Sequence, residues 1–296
     1  MFMVFVDDSE EKKPRRTPLG HLVGVGAVAV PEDGLAPYAA GIRALRAEFG
    51  VPADTELKWS PGDGSWLKTG AGKAACTPLR EKMLDLAAEA GATSIVLVWA
   101  RGHLDWQVPA VREKLLWWLY DKVSTFLGRR NAAGVVVADE PGGGPRDRAK
   151  WLRETLPLTD EGTGYTRPEQ IILPIVTAPS HHIPHLQLAD LVTAATVAAV
   201  AGNRYALDLM PRLIRIADRL PDGRVGAAGL TVWPQDKLMD LYWHLYGERV
   251  FAHQGTAYQL GPFAAASGLT PSVRPFLAAD GLSQRPGYTD NPFRPR

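Results

Sequence analysis

Hydrophobic positions along the first two thirds of the chain switch repeatedly between the strand period and the helix period. Val4-Phe5-Val6 reads as a short strand ending at Asp7-Asp8-Ser9, and Glu10 to Arg16 as a charged turn. Leu22 to Val30, rich in small and β-branched residues, is a second strand, so the pair predicts an N-terminal antiparallel hairpin. Pro37 to Phe49 carries apolar residues at helical spacing and stops at Gly50 and Pro52. Thr55 to Ser60 alternates briefly before a Gly-rich loop. Thr77 is placed to cap a helix with Pro78 at its first position, and Gly91 to end it.

From there strands and single helices take turns. Ser94 to Ala100 is a strand, Pro109 to Leu127 a helix, Gly134 to Ala138 a strand and Arg146 to Leu156 a helix. Ile171 to Val176 and His185 to Ala201 repeat the strand-then-helix order. This predicts an α/β protein whose mixed sheet joins the antiparallel hairpin to parallel strands, flanked by helices. Residues 1–202 form the expected core. Residues 203–260 read as a mainly helical addition, with helices over Tyr205 to Leu220 and Gln235 to Tyr246 and a strand-like piece over Gly226 to Trp233. Residues 261–296 hold 6 Pro and 4 Gly without periodicity, the pattern of an extended tail.

Composition narrows the class without naming a function. Of 296 residues, 46% are hydrophobic, including 9 Trp, 8 Tyr and 8 Phe, which is enough for a real core. Lys+Arg 33 against Asp+Glu 32 leaves +1, so no overall field points to nucleic acid or a membrane surface. A single cysteine, Cys76, excludes an internal disulfide framework and a Cys-rich zinc site. The longest apolar run, Leu186 to Ala201, is broken by Gln187 and Asp190 and is too short to span a bilayer. Met1 to Val6 is too short for a signal peptide, so no membrane association and a cytoplasmic location are expected.

Three tempting patterns fail on mechanism. Gly24-Val25-Gly26-Ala27-Val28-Ala29 matches a dinucleotide fingerprint, but its glycines lie inside a strand rather than in a strand-to-helix turn. Gly70-Ala71-Gly72-Lys73 lacks the earlier glycine of a phosphate loop, since position 67 is Leu, and reads as a flexible loop. His181, His182 and His185 are split by Pro184, which argues against a helical metal-binding pair and for a helix-entry segment.

Carboxylates in expensive places say more. Asp139 directly follows the buried strand Val135 to Ala138, at the strand end where open α/β sheets form ligand crevices. Asp7 is placed in the same way. Asp190 is the one ionisable residue between Leu186 and Ala201, and a carboxylate there costs several kcal/mol unless something satisfies it. Gln187, one turn earlier, shares its face and is positioned to orient it. Each acid alone has an ordinary reading as a cap, a turn former or half of a salt bridge. Together they describe a cluster that repels itself unless a hard divalent cation, Mg²⁺ or Mn²⁺, holds it.

The motifs Val4-Phe5-Val6-Asp7-Asp8-Ser9, Glu56-Leu57-Lys58-Trp59, Val137-Ala138-Asp139 and Leu186-Gln187-Leu188-Ala189-Asp190-Leu191 resemble, in order, those of the family domain of unknown function 3800. Gly229 to Pro234 resembles its C-terminal strand. The resemblance implies a ribonuclease H-like core and metal-dependent phosphodiester hydrolysis on a nucleic acid. It implies Asp7, Glu56, Asp139 and Asp190 as the catalytic and metal-binding set for two Mg²⁺ or Mn²⁺ ions. Asp8, Ser9, Glu140 and Gln187 would support them. Glu56 enters only through the resemblance. Lys58 would share a side with Glu56 if that segment were a strand, and is either a substrate-phosphate contact or a solvated lysine. The family's usual Asp-Glu-Ser-Gly stands here as Asp7-Asp8-Ser9-Glu10, so the turn after Asp7 is expected to differ. Other readings remain open: a catalytically inactive nuclease-like module that binds nucleic acid or a protein partner, or a metal-dependent phosphoesterase acting on a small nucleotide. The oligomeric state is not addressed by the sequence.

Overall fold

The computed structural model describes residues 1–103, 107–140, 149, 153, 155–158, 160–163, 169–253, 256–260 and 270–271. Its centre is a six-stranded mixed sheet whose strands lie in the order Val176–Ala178, Gly134–Asp139, Phe2–Glu11, Leu22–Pro31, Thr93–Ala100 and Leu230–Trp233. β1 (Phe2–Glu11) pairs antiparallel with β2 (Leu22–Pro31), and β2 antiparallel with β3 (Thr93–Ala100). β4 (Gly134–Asp139) lies parallel to β1, β5 (Val176–Ala178) parallel to β4, and β6 (Leu230–Trp233) parallel to β3. An antiparallel β1-β2-β3 meander with parallel strands beside β1 and beside β3 makes the sheet mixed, and helices flank it.

The alternation of each strand sends its side chains into two cores. Val4, Val6, Val25, Leu97, Trp99 and Ala138 pack with α3 (Val108–Arg129) on one face. Phe5, Val28, Val96 and Val137 pack on the other face with α1 (Glu32–Phe49), α2 (Gly70–Glu89), α4 (Pro184–Val200) and α5 (Arg204–Ile216). Residues 204–233 thus share the main core, since β6 completes the sheet and α5 lies against α4 and α2. Two short helices, α6 (Gln235–Leu238) and α7 (Asp240–Tyr246), and the antiparallel pair β7 (Val250–His253) and β8 (Thr256–Gln259) follow. Among the described residues no helix is long and apolar enough to cross a membrane.

Helix α4 decides where the site falls. Fifteen of its residues are buried, and it crosses β1 and β2 at close range. Gly24 and Gly26 make that approach possible: a Cβ on Gly24 would lie 2.3 Å from Val197 Cγ2, and one on Gly26 would lie 2.1 Å from Thr193 Oγ1. The glycine-rich strand is therefore a helix seat and not a nucleotide loop. At the far end of α4 the buried Arg16 donates to the Ala199 and Val200 carbonyls at 3.0 and 2.7 Å, satisfying orphan acceptors where the helix dipole is negative.

Several boundaries differ from the expected ones, each for a physical reason. β1 does not stop at Asp7; it runs on to Glu11 because β2 supplies partners as far as Glu11–Leu22, and only the parallel pairing to β4 ends at Val6–Ala138. Glu10 pairs with Val23 in extended backbone, so the departure from a glycine there changes no turn. α1 begins at Glu32, five residues before Pro37. α2 begins at Gly70, capped by Thr69 Oγ1 accepting from the Gly72 amide at 3.1 Å, so Gly70 to Lys73 is its first turn rather than a loop. Pro78 and Cys76 consequently lie inside the helix, which continues because Ala75, Leu79, Met83 and Leu84 on both sides are held in the core. Thr55 to Ser60 is not a strand. Pro174 splits the expected strand over Ile171 to Val176 into a bridge at Ile171 and the later β5. The expected helix Arg146 to Leu156 falls mostly outside the described residues, as does nearly all of the tail.

Gly26→Ala is expected to destabilise the fold by about 1–3 kcal/mol, because the new methyl overpacks against Thr193. Thermal unfolding checks it, and adding Thr193→Ala should restore part of the loss by removing the Oγ1 that the methyl meets.

Candidate metal centre

Four acids from four separate segments reach the same end of the sheet, on the α4 face. Asp7 of β1 follows Phe5 on that face, and Asp139 of β4 follows Val137. Since Val6 pairs with Ala138, Asp7 and Asp139 stand side by side, one step past the last paired residues. Asp190 comes from α4, one turn before Thr193, which rests on Gly26 directly across from Asp7. Glu56 comes from the connection between α1 and α2, which has no helix or strand over residues 50–65 and needs other anchors.

Those anchors are side chains of three helices. Arg46 of α1 donates to the Pro52 and Thr55 carbonyls at 3.1 and 2.7 Å. Arg80 of α2 donates to the Lys58 and Trp59 carbonyls at 3.2 and 2.6 Å and stacks on the Trp59 ring at 4.4 Å. From α4, Gln187 Oε1 accepts from the Leu57 amide at 3.3 Å, and Asp190 Oδ2 accepts from the Trp59 amide at 2.7 Å. Leu57 itself is buried in the core. Gln187 therefore does not bond to Asp190; it holds the irregular connection that carries Glu56.

Each carboxylate uses one oxygen to fix its own position. Asp7 Oδ1 accepts from the Asp8 amide at 2.7 Å. Asp139 Oδ1 accepts from the amides of Glu140 and Ser180 at 2.9 and 3.1 Å. Asp190 uses Oδ2, as above. Glu56 Oε1 accepts from Ser180 Oγ at 2.6 Å and pairs with Lys58 Nζ at 3.1 Å. Among the described residues the second oxygen of each makes no hydrogen bond, and only Glu56 of the four is in an ion pair.

The electrostatics record the crowding. Burial first, then the negative charges of Asp190 and Asp139, push the Asp7 carboxyl up to about 8. Burial also raises Asp190, with Glu56 adding to it, against the Trp59 amide and Lys58, which lower it. Burial works against the Lys58 ammonium, but its hydrogen bond to Glu56 and the charges of Glu56, Asp139 and Asp190 outweigh that and hold it above its ordinary value. Lys58 is thus the cation that Glu56, Asp139 and Asp190 share, and its segment is not a strand.

The supporting residues divide. Asp8 faces the other side of the sheet and pairs with Arg112 of α3 at 2.9 Å, and the same Arg112 holds Glu10 at 2.8 Å. Ser9 lies opposite Gly24, and the Glu140 amide closes on Ala178 as well as on Asp139. His181 and His182 form a single turn before α4, and His185 is buried, stacked on Phe5 at 4.8 Å with Nε2 3.1 Å from the Leu35 carbonyl. The residue that patterning missed is Ser180, which no periodicity or charge distinguishes.

Among the described residues, no group of three or more His, Cys, Asp and Glu side chains is placed to hold a metal ion as it stands. The donor set nevertheless fits one. Four carboxylates, each with one oxygen tethered and one available, supply the hard oxygen ligands that Mg²⁺ and Mn²⁺ prefer. An open polar cleft of about 290 Å³ adjoins Glu56 and Lys58, and Asp54, Asp63 and Trp66 are among its other walls. No protein-family model matches the chain, and neither does any curated protein, so the reading rests on this geometry.

The Asp7 shift sets a pH dependence. Its carboxyl ionises near 8 in the folded chain against an ordinary 3.8, so between those values the folded state keeps a proton that the unfolded state has lost. Stability from this group therefore falls as pH rises through that window. In chelator, Asp7→Asn should melt higher than the wild type at pH 8.5, by at least about 3 °C, with the gap closing towards pH 4. Calorimetry checks this, and a gap independent of pH would contradict it.

Proposed function

We propose that the chain is a metal-dependent nuclease that hydrolyses phosphodiester bonds with a carboxylate-held pair of Mg²⁺ or Mn²⁺ ions. The observation that carries this reading is the convergence of Asp7, Glu56, Asp139 and Asp190 with their untethered oxygens, at the strand ends of a ribonuclease H-like sheet. Bound cations would supply a water of lowered pKa and would neutralise charge on the leaving oxygen. Asp7 and Asp139, neighbours on adjacent strands, are the central ligands, with Asp190 and Glu56 completing the set from α4 and the connection.

Lys58 has a role of its own. Its ammonium partly offsets the acids; with divalent ions held there, it would be released to contact a substrate phosphate in the adjoining cleft. A second reading, a phosphoesterase acting on a small nucleotide, is favoured by one observation: the described lining of that cleft carries Asp54, Glu56 and Asp63 but only Lys58 as a cation, a poor match to a polyanion groove.

The test is a panel of single- and double-stranded DNA and RNA together with mononucleotide esters, assayed with Mn²⁺ and with chelator. The expected outcome is Mn²⁺-dependent cleavage that falls to background in Asp7→Asn and Asp139→Asn while both variants unfold cooperatively. Equal cleavage by the wild type and both variants would overturn the reading.

A further inference from the structure

Ser180 touches two of the four acids at once. Its amide donates to Asp139 Oδ1 at 3.1 Å, and its hydroxyl donates to Glu56 Oε1 at 2.6 Å. It is buried, and it lies on the short turn between β5 and α4, so it belongs to neither of the segments that it joins.

The contact is part of a closed ring. Ser180 Oγ donates to Glu56; the amide of the next residue, Leu57, donates to Gln187 Oε1 at 3.3 Å; and Gln187 Nε2 donates back to the Ser180 carbonyl at 3.1 Å. The same Nε2 also reaches the His181 carbonyl at 3.1 Å. Gln187 and Leu57 are buried as well, so water does not compete readily for these bonds. The ring fixes the carrier of Glu56 against α4, while the amide of Ser180 fixes Asp139 against the ring.

From this geometry we infer that Ser180 is the positioning residue of the site. It sets the distance between Glu56 and Asp139, and it selects which oxygen of each faces outward. Both of its hydrogen bonds fall on oxygens that are tethered already or shared with Lys58, and this directs the free Glu56 Oε2 and Asp139 Oδ2 to the cation. The inference rests on the metal-site reading above. It adds a residue that carries no charge and would not itself touch the ion.

Ser180→Ala removes the hydroxyl and keeps the amide, so the bond to Asp139 survives and Glu56 alone is released. Ser180→Thr keeps both donors. Mn²⁺ binding to the full chain, measured by titration calorimetry, reads the effect without any substrate. Outer-shell partners of this kind are worth about 10–100-fold in metal affinity, so Ser180→Ala should weaken Mn²⁺ binding by that factor, while Ser180→Thr stays within about 3-fold of the wild type. Wild-type affinity in Ser180→Ala, or equal weakening in both variants, would overturn the positioning role while the metal site stands. A wild-type chain that takes up no Mn²⁺ would overturn the metal reading and this inference with it.

Discussion

Like charges held close in a half-buried place govern this structure. Asp7, Glu56, Asp139 and Asp190 repel one another, and water is too scarce around Asp7 and Asp190 to screen them. The chain meets that repulsion in three ways. Tethers on one oxygen of each carboxylate fix its position, Lys58 supplies one shared positive charge, and Asp7 retains its proton well above the pH at which an aspartate ordinarily loses it. None of these removes the conflict. A fold that pays such a cost at one spot, while its buried Asp218 is paired with Arg129 and Arg130, keeps the spot for a purpose.

The rest of the architecture serves that juxtaposition. Parallel pairing of β1 with β4 aligns Asp7 and Asp139, and the hairpin continues past them so that β2 can present Gly26 across from Asp7. The missing side chains of Gly24 and Gly26 let α4 come down on the sheet, and Arg16 closes the helix at its far end. Asp190 thereby arrives on a rigid, buried element, whereas Glu56 arrives on an irregular one that Arg46, Arg80 and Gln187 must pin. Precision is borrowed for Glu56 and built in for Asp190.

This division explains what could be read in advance. The sheet, most helices and three of the acids were legible because periodicity marks buried strands and a lone charge in an apolar helix is conspicuous. Asp7 and Asp139 follow apolar runs, and Asp190 interrupts one. Glu56 lies in a short polar connection with no such contrast, and only the resemblance to a family singled it out. Ser180 carried no signal at all, since its part depends on a turn that brings residues 41 and 124 positions apart into contact. The helix starts at Glu32 and Gly70 were missed for a related reason: prolines at 37 and 78 and the glycines near 70 read as breaks, yet tertiary packing carries both helices through.

The central claim is that the four carboxylates form one cation site, and crystals soaked in millimolar Mn²⁺ test it most directly. Anomalous density, one or two peaks, between Asp7, Glu56, Asp139 and Asp190, with Lys58 turned away from Glu56, is the result this account predicts. Well-ordered crystals with Lys58 still on Glu56 and Mn²⁺ bound only elsewhere would contradict it.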